Sequence, residues 1–262
     1  MGPTEEFGEM VAAPDGDIDV ERAALLVAAH GRPGLDVDAE LARLDVLADI
    51  CGDPSLEGLH QHLFTDLGFD GNHDAYYEPE NSFLDRVLDR RRGIPLTLSM
   101  LTVFVGRRLG LDLAVVAMPG HVLVGDRATP DMFVDPFNRG TVLDGTGAER
   151  LFRALHGDHL AFQLAFLAPS ANGAVLVRLL ANLEQIYRAG RDRSSLAWVL
   201  RLRSMLPGAG AGDHVQLASA LAAAGRFDEA ADELDDLADS APAGEPVQDL
   251  RTDATRLRAR LN

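Results

Sequence analysis

Lysine is absent from this chain of 262 residues, so all 24 of its basic residues are arginines. Without a lysine amine the protein cannot form a lysine Schiff base, supply a P-loop lysine, or crosslink itself through a lysine side chain. The glycine-rich patterns GxxxxGK[ST] and GxGxxG are also absent. A nucleotide-dependent function is therefore not expected.

A net positive charge is absent too, because 41 acidic residues leave the chain at −17. A surface of this sign repels nucleic acid and anionic membranes, so neither is expected as a partner. No run of residues approaches the ~20 apolar residues that a membrane span needs. Residues 1–18 are acidic and carry no positively charged flank before a long apolar run. They predict a loose tail rather than a secretory signal, and a cytoplasmic protein.

With a single cysteine, Cys51, the chain cannot form an internal disulfide bond. Leu44, Ala48 and Cys51 recur at helical spacing, and Gly52 follows as a helix stop. This pattern predicts that Cys51 is a small core residue on a helix rather than a reactive thiol.

Histidine pairs give little support for a metal site. His60 and His62 do not share a helix face, and a glycine–aspartate pair interrupts the spacing of His156 and His159. Because a structural metal site usually needs more ligands than such a pair supplies, we expect no metal and no other cofactor.

Apolar periodicity predicts an α+β protein with a helical N-terminal part, a mixed core and a helical tail. We expect domains at 19–167 and 174–262. The first domain should contain N-terminal helices, one buried central helix and three short strands of an antiparallel sheet. These elements are predicted at 18–30, 37–52, 55–68 and 95–109 for the helices and at 113–118, 121–124 and 132–135 for the strands.

The tail contains two similar segments, because Gly190 and Gly225 stand 35 residues apart in related surroundings. The second segment, with Gly225 followed by Ala230, resembles a tetratricopeptide helix pair, whose repeat is about 34 residues long. The first segment is degenerate and has Ser195 in the place of Ala230. One and a half to two such units are too few for a free solenoid, so we expect this all-α tetratricopeptide-like region to dock on the first domain.

A possible catalytic pair lies on the predicted sheet. A hairpin centred on residue 128 would place His121 opposite Asp135, where facing side chains are ~5 Å apart. The carboxylate would then orient the imidazole, as the third member of a catalytic triad does. Alternatively, a buried His–Asp hydrogen bond only ties two strands together, and the spacing by itself favours this second interpretation.

Three segments resemble the SirB-type transglutaminase-like family: NSFLDRVLDRRRGIPLTLSMLTVFVGRRLGL, PGHVLV and FVDPFN. The likeness is most specific over 81–136 and extends over about residues 20–262. It implies a papain/transglutaminase-like core, with a central helix on a small antiparallel sheet. It also implies N-terminal helices before that core and a tetratricopeptide-like tail after it.

The resemblance also implies a catalytic pattern from which the nucleophile is missing. Active members of the superfamily use a Cys-His-Asp triad for acyl transfer or amide hydrolysis, and their helix opens Gly-x-Cys. In this chain Pro95 stands at the cysteine position, while His121 and Asp135 match the other two members. We therefore expect a catalytically inactive protein that acts in binding or regulation.

Two alternatives to this interpretation stay open. Ser99 lies one helical turn beyond Pro95 and could replace the cysteine, or His121 could activate a water, which would make the protein a hydrolase. The tail could instead bind partner helices as a scaffold. A peptide or acyl group is the expected ligand of the cleft. Four polar or motif residues are expected to line that cleft: Pro95, Asn81, Arg92 and Asn138.

Overall fold

The structure is a computed structural model, and it describes residues 1–157, 159–242 and 247–261. Asp158, which separates the two histidines of the second pair, lies outside the described residues. The same holds for 243–246 and Asn262 in the predicted tail region.

The chain forms two compact units, Asp15–Leu179 and Met1–Pro14 with Leu180–Asn262. These units differ from the predicted domains, 19–167 and 174–262. The N-terminal residues group with the tail, and the division falls inside a helix instead of in a linker. The small and polar residues of 168–173, between the predicted domains, indicate a linker. The helix that begins at Asn172 nevertheless runs on without a break.

The unit Asp15–Leu179 begins with three helices whose starts are set by side-chain caps. Asp19, Asp36 and Ser55 each accept a hydrogen bond from a backbone N–H in the first turn. Cys51 lies beyond the end of the second helix, so its predicted place on that helix is wrong. It is buried in the following loop, where its thiol donates to the carbonyl of Asp53. The three helices are α2 (Val20–Gly31), α3 (Val37–Asp49) and α4 (Leu56–His60).

The central helix of this unit runs from Pro95 to Arg108 and is buried from Pro95 to Gly106. Most residues of this helix are apolar, and none is charged before Arg107, so burial on all sides is favourable. Arg108 at its end donates to Glu21 and Asp45, both at 2.7 Å. These ion pairs join the helix to α2 and α3.

Four strands form an antiparallel sheet in which each strand pairs with the next one along the chain. The sheet packs against the central helix, and together they confirm the predicted α+β fold. The fourth strand is not among the three predicted ones, because its side chains are mostly exposed and lack a strand-like apolar run. The strands are β3 (Leu113–Val116), β4 (Leu123–Asp126), β5 (Phe133–Asp135) and β6 (Thr141–Leu143).

The register between β4 and β5 differs from the prediction by two residues. Val124 pairs with Val134, so the hairpin is centred on residue 129 rather than 128. Asp126 sets this turn, because its carboxylate accepts from the N–H of Ala128 at 2.9 Å and its carbonyl from Thr129 at 3.2 Å. His121 therefore lies two residues from the position opposite Asp135, but on the same face of the sheet.

The remaining elements of this unit close the core around the sheet. Two short strands pair in parallel, and the helix after β6 buries Phe152 against the sheet. The elements are β1 (Asp70–Gly71), β2 (Arg92–Gly93), α5 (Leu84–Arg90), α6 (Pro95–Arg108, the central helix), α7 (Gly145–His156) and the part of α8 (Asn172–Gly190) that precedes Leu180.

In its described residues, the other unit contains helices and no strand. The loose tail predicted for residues 1–18 is wrong, since Pro3–Val11 forms helix α1 and buries Phe7 and Val11. Pro3 at the first helical position and acidic residues in the first turn favour a helix there. The helices of the tail are α9 (Arg193–Ser204), α10 (Ala211–Ala223), α11 (Phe227–Ser240) and α12 (Gln248–Arg258).

Consecutive helices of the tail pack on one another, and small residues lie at their contacts. Ala197 and Ala230 are fully buried, and α1 packs on α9. Within the described parts of the chain, no helix has both the length and the apolar character to cross a membrane.

Candidate functional site

His121 and Asp135 form a buried hydrogen-bonded pair. The Nε2 atom of His121 lies 2.9 Å from Oδ1 of Asp135, so the predicted hydrogen-bond reach is confirmed. The two residues are not directly opposite, because His121 precedes β4 and Asp135 ends β5. Their side chains span the diagonal between neighbouring strands, a separation that a long side chain bridges.

The carboxylate of Asp135 is held by three further donors. Its Oδ1 accepts from the backbone N–H groups of Phe137 and Asn138 at 3.2 and 3.3 Å, and its Oδ2 accepts from Nδ2 of Asn138 at 2.6 Å. Since all its neighbours are donors, the carboxylate accepts from Nε2–H of His121. In the neutral form of the imidazole, this contact places the proton on Nε2 and the lone pair on Nδ1.

The backbone that leads into His121 is clamped by two distant side chains. Arg178 of α8 donates to the carbonyls of Met118 and His121, at 2.8 and 3.1 Å. His156 of α7 donates from Nε2 to the carbonyl of Pro119 at 3.0 Å. These contacts fix the position of the backbone around His121, and therefore the point from which its side chain extends.

Gly120 lies inside that clamp and has a φ of +77°, a conformation that glycine adopts without strain. A Cβ atom there would come within 2.8 Å of Nε2 of His156. The turn before the histidine therefore requires glycine both for its backbone conformation and for the close approach of α7.

Pro95 is the first residue of α6 and is buried, as predicted for the position of the missing cysteine. The end of this helix is closed by Thr97, whose hydroxyl accepts from the N–H of Ile94 at 3.2 Å and donates to the carbonyl of Asn81 at 2.7 Å. The proline ring fits a helix start, but it offers no atom that a base could activate.

The structure does not bring Ser99 to the imidazole. The Ser99 hydroxyl is buried and donates to the carbonyl of Val122 at 3.4 Å. It therefore forms no hydrogen bond with His121, and the nucleophile–base contact that a serine hydrolase uses is not formed among the described residues.

The other expected cleft residues separate into different roles. Asn138 binds Asp135 directly and belongs to the site. Asn81 is fully buried and donates to the carbonyls of Ala75 and Tyr76, so it organises the loop before α5. Arg92 donates to the carbonyls of Gly68 and Arg91, and no contact joins it to the histidine pair.

An aromatic wall, formed by His73, Tyr76, Tyr77 and Phe137, lies beside the histidine. The Phe137 ring is 6.1 Å from the ring of His121, 4.4 Å from that of His73 and 5.9 Å from that of Tyr76. Tyr76 and Tyr77 are 37% and 65% exposed, so the outer part of this wall faces solvent. The sequence reasoning missed these rings, since they lie in a turn-rich loop without periodicity.

Burial changes the ionisation of two groups near this wall. It raises the pKa of Tyr76, while the charge of Arg178 lowers that pKa by a smaller amount. Burial also lowers the pKa of Arg178, against a smaller opposite effect of Tyr76. The phenol and the guanidinium are therefore close enough to interact electrostatically.

The part of the chain that the structure describes offers no cluster of side chains that could bind a metal ion. There, no group of three or more histidine, cysteine, aspartate or glutamate side chains is arranged to hold a metal ion. His60 instead lies against the ring of Phe64, and His62 bonds to the carbonyl of Leu47 at 3.0 Å.

Comparisons with known proteins agree with this architecture. Residues 34–181 match the family described as the transglutaminase-like superfamily. A UPF0162 protein of Xylella fastidiosa (strain Temecula1) is 33% identical over 200 residues, which are 71% of this chain and 71% of that protein. A UPF0162 protein of Pseudomonas aeruginosa is 30% identical over 202 residues, 73% of each chain.

A eukaryotic relative shares the same region. F-box only protein 21 of Mus musculus is 33% identical over 149 residues, which are 53% of this chain and 23% of that protein. The family match covers more than half of the chain, and the bacterial relatives extend beyond it. The chain therefore belongs to the transglutaminase-like superfamily and to the UPF0162 proteins within it.

Proposed function

We propose that this protein is a catalytically inactive member of its superfamily and that it binds a ligand in the cleft beside His121. The observation that carries the proposal is Pro95 at the first turn of α6, in the place where the family pattern has its cysteine. The histidine–aspartate pair persists in the same unit, with Asn138 holding the carboxylate. A site that is built but has no nucleophile favours binding over covalent chemistry.

Neither remaining candidate nucleophile supports covalent catalysis. The Ser99 hydroxyl is engaged with a carbonyl, and the Cys51 thiol donates to the carbonyl of Asp53 in a loop after α3. A hydrolase in which His121 activates a water is the second candidate function, because Nδ1 of the imidazole keeps its lone pair.

An activity assay tests this proposal. The wild type and His121→Ala are incubated with a blocked glutamine dipeptide, with and without a primary amine, and ammonia release is followed. We expect the same background rate from both proteins. A rate that depends on His121 would instead establish an active hydrolase or transferase. In that case Ser99→Ala would separate attack by the hydroxyl from attack by water.

For the tail we propose a tetratricopeptide-like module of two helix pairs, α8 with α9 and α10 with α11. It is supported by helix starts 34 residues apart, at Arg193 and Phe227, and by full burial of Ala230 after the glycine turn. This arrangement also supports the SirB-type subgroup. The cytoplasmic location stays a prediction.

A scaffold that binds partner helices through this tail is less well supported. Such a scaffold would present an exposed apolar groove. Among the described residues of α9–α12, Val215 is the only large hydrophobic residue that is strongly exposed, at 40%. A pull-down of helical peptides with residues 180–262 deleted would show whether binding requires the tail or the cleft.

A further inference from the structure

Arg178 is a partly buried cation without a carboxylate partner among the described residues. Its guanidinium uses two donors on the carbonyls of Met118 and His121. In a chain with 41 acidic and 24 basic residues, an acidic partner is easy to supply, yet none is placed here. Three of the five N–H donors of the guanidinium are left over.

Arg108 provides the contrast within the same unit. It is also partly buried, and it is paired with both Glu21 and Asp45. Burial of a charge is costly unless it is compensated, and Arg108 follows that rule. Arg178, which donates to the backbone carbonyl of His121, does not follow this rule.

The recorded partners of Arg178 are two backbone carbonyls and the phenol of Tyr76, which is part of the aromatic wall. The phenol of Tyr76 interacts with the guanidinium, and Phe137 lies between Tyr76 and His121. Tyr77 packs on Tyr76 at 5.2 Å and extends the wall outwards. A ligand beside His121 would thus meet one planar cation and an apolar aromatic surface.

We propose that Arg178 binds the carboxylate of a ligand whose apolar part lies on the aromatic wall. This rests on the proposed function of the cleft and names the class of its ligand. A planar guanidinium matches a carboxylate in geometry and charge. A phosphate is less suited, because a single arginine would face two negative charges in a protein of net charge −17.

The test compares two probes of the same size and apolar part, the anion 3-phenylpropionate and the neutral amide 3-phenylpropionamide. Binding is followed by titration of the isotope-labelled protein, with the ring signals of His121 as the reporter. We expect the acid to bind at least tenfold more tightly than the amide. Arg178→Met should remove this preference, and Arg178→Lys should keep only part of it.

Arg193→Met is the matched control, because Arg193 also donates to a carbonyl, that of Ala223, but is exposed. It should keep the full preference for the acid. Equal binding of the acid and the amide to the wild type would overturn the proposal, as would a preference that survives Arg178→Met. The wild-type comparison decides the matter even if Arg178→Met does not fold.

The outcome is separable from that of the proposed function. Activity that depends on His121, together with a preference for the acid, would leave Arg178 as the carboxylate site of an enzyme. An inactive protein without that preference would lose only the carboxylate assignment.

Discussion

Replacing Pro95 by cysteine, in a Cys51→Ala background, should restore a thiol with a lowered pKa. Position 95 is the first residue of α6, where the helix dipole contributes ~0.3–1 kcal/mol in favour of an anion. Since one pKa unit corresponds to ~1.36 kcal/mol, the dipole lowers the pKa by up to ~0.7 units from ~8.5. An imidazole of His121 facing position 95 would lower it further, while burial opposes both effects, so we expect a pKa below ~8.

The variant should fold at modest cost. A proline at the first helical position gives up no intrahelical hydrogen bond. Its replacement therefore costs only the stabilisation that proline gives by restricting the unfolded chain, about 0.4–1 kcal/mol. Chemical denaturation of the variant and its parent measures this difference.

The pKa is measured from the pH dependence of iodoacetamide labelling. His121→Ala in the same background should return the thiol towards its ordinary pKa. Ser99→Cys is the matched control, because it lies on the same helix one turn deeper and away from the helix end. A thiol at position 95 with an ordinary pKa, indifferent to His121, would show that Pro95 does not occupy the position of the catalytic cysteine.

Three further predictions concern stability. Asp135→Ala leaves the buried imidazole N–H and the Asn138 amide without an acceptor, so denaturation should show a loss of ~3 kcal/mol; a loss below ~1 kcal/mol would contradict the buried network. Gly120→Ala should cost more than Gly110→Ala, because both have positive φ but only the first meets a neighbour; equal losses would exclude the clash. Burial raises the pKa of Tyr187 to about 12, so its contribution to stability is present below pH ~10 and is lost as pH rises to about 12. Denaturation across this range should show ~2 kcal/mol less loss for Tyr187→Phe than for the wild type, and identical profiles would refute the assignment.

The central helix and its start were predictable because the determinants are local. A proline after Gly-Ile begins a helix whichever fold surrounds it, and the apolar residues that follow favour burial. The pairing of His121 with Asp135 was also accessible, because alternation along strands places both on one face. Their register was not, since it depends on where Asp126 starts the turn.

Other errors arose where packing overrides composition. Residues 1–18 are acidic and short of apolar side chains, yet Phe7 and Val11 are enough to bury one face of α1. Strand β6 carries few apolar side chains, and its pairing with β5 defines it as a strand.

By itself, the sequence determined the α+β class, the helix that begins at Pro95, the absence of a nucleophile there, and the order of His121 and Asp135 along the chain. These follow from residue types and short-range periodicity. Only the tertiary structure decided that Arg178 and His156 hold the backbone around that histidine. Their contacts cross 37 to 60 residues, and no local pattern records which carbonyl a distant side chain will reach.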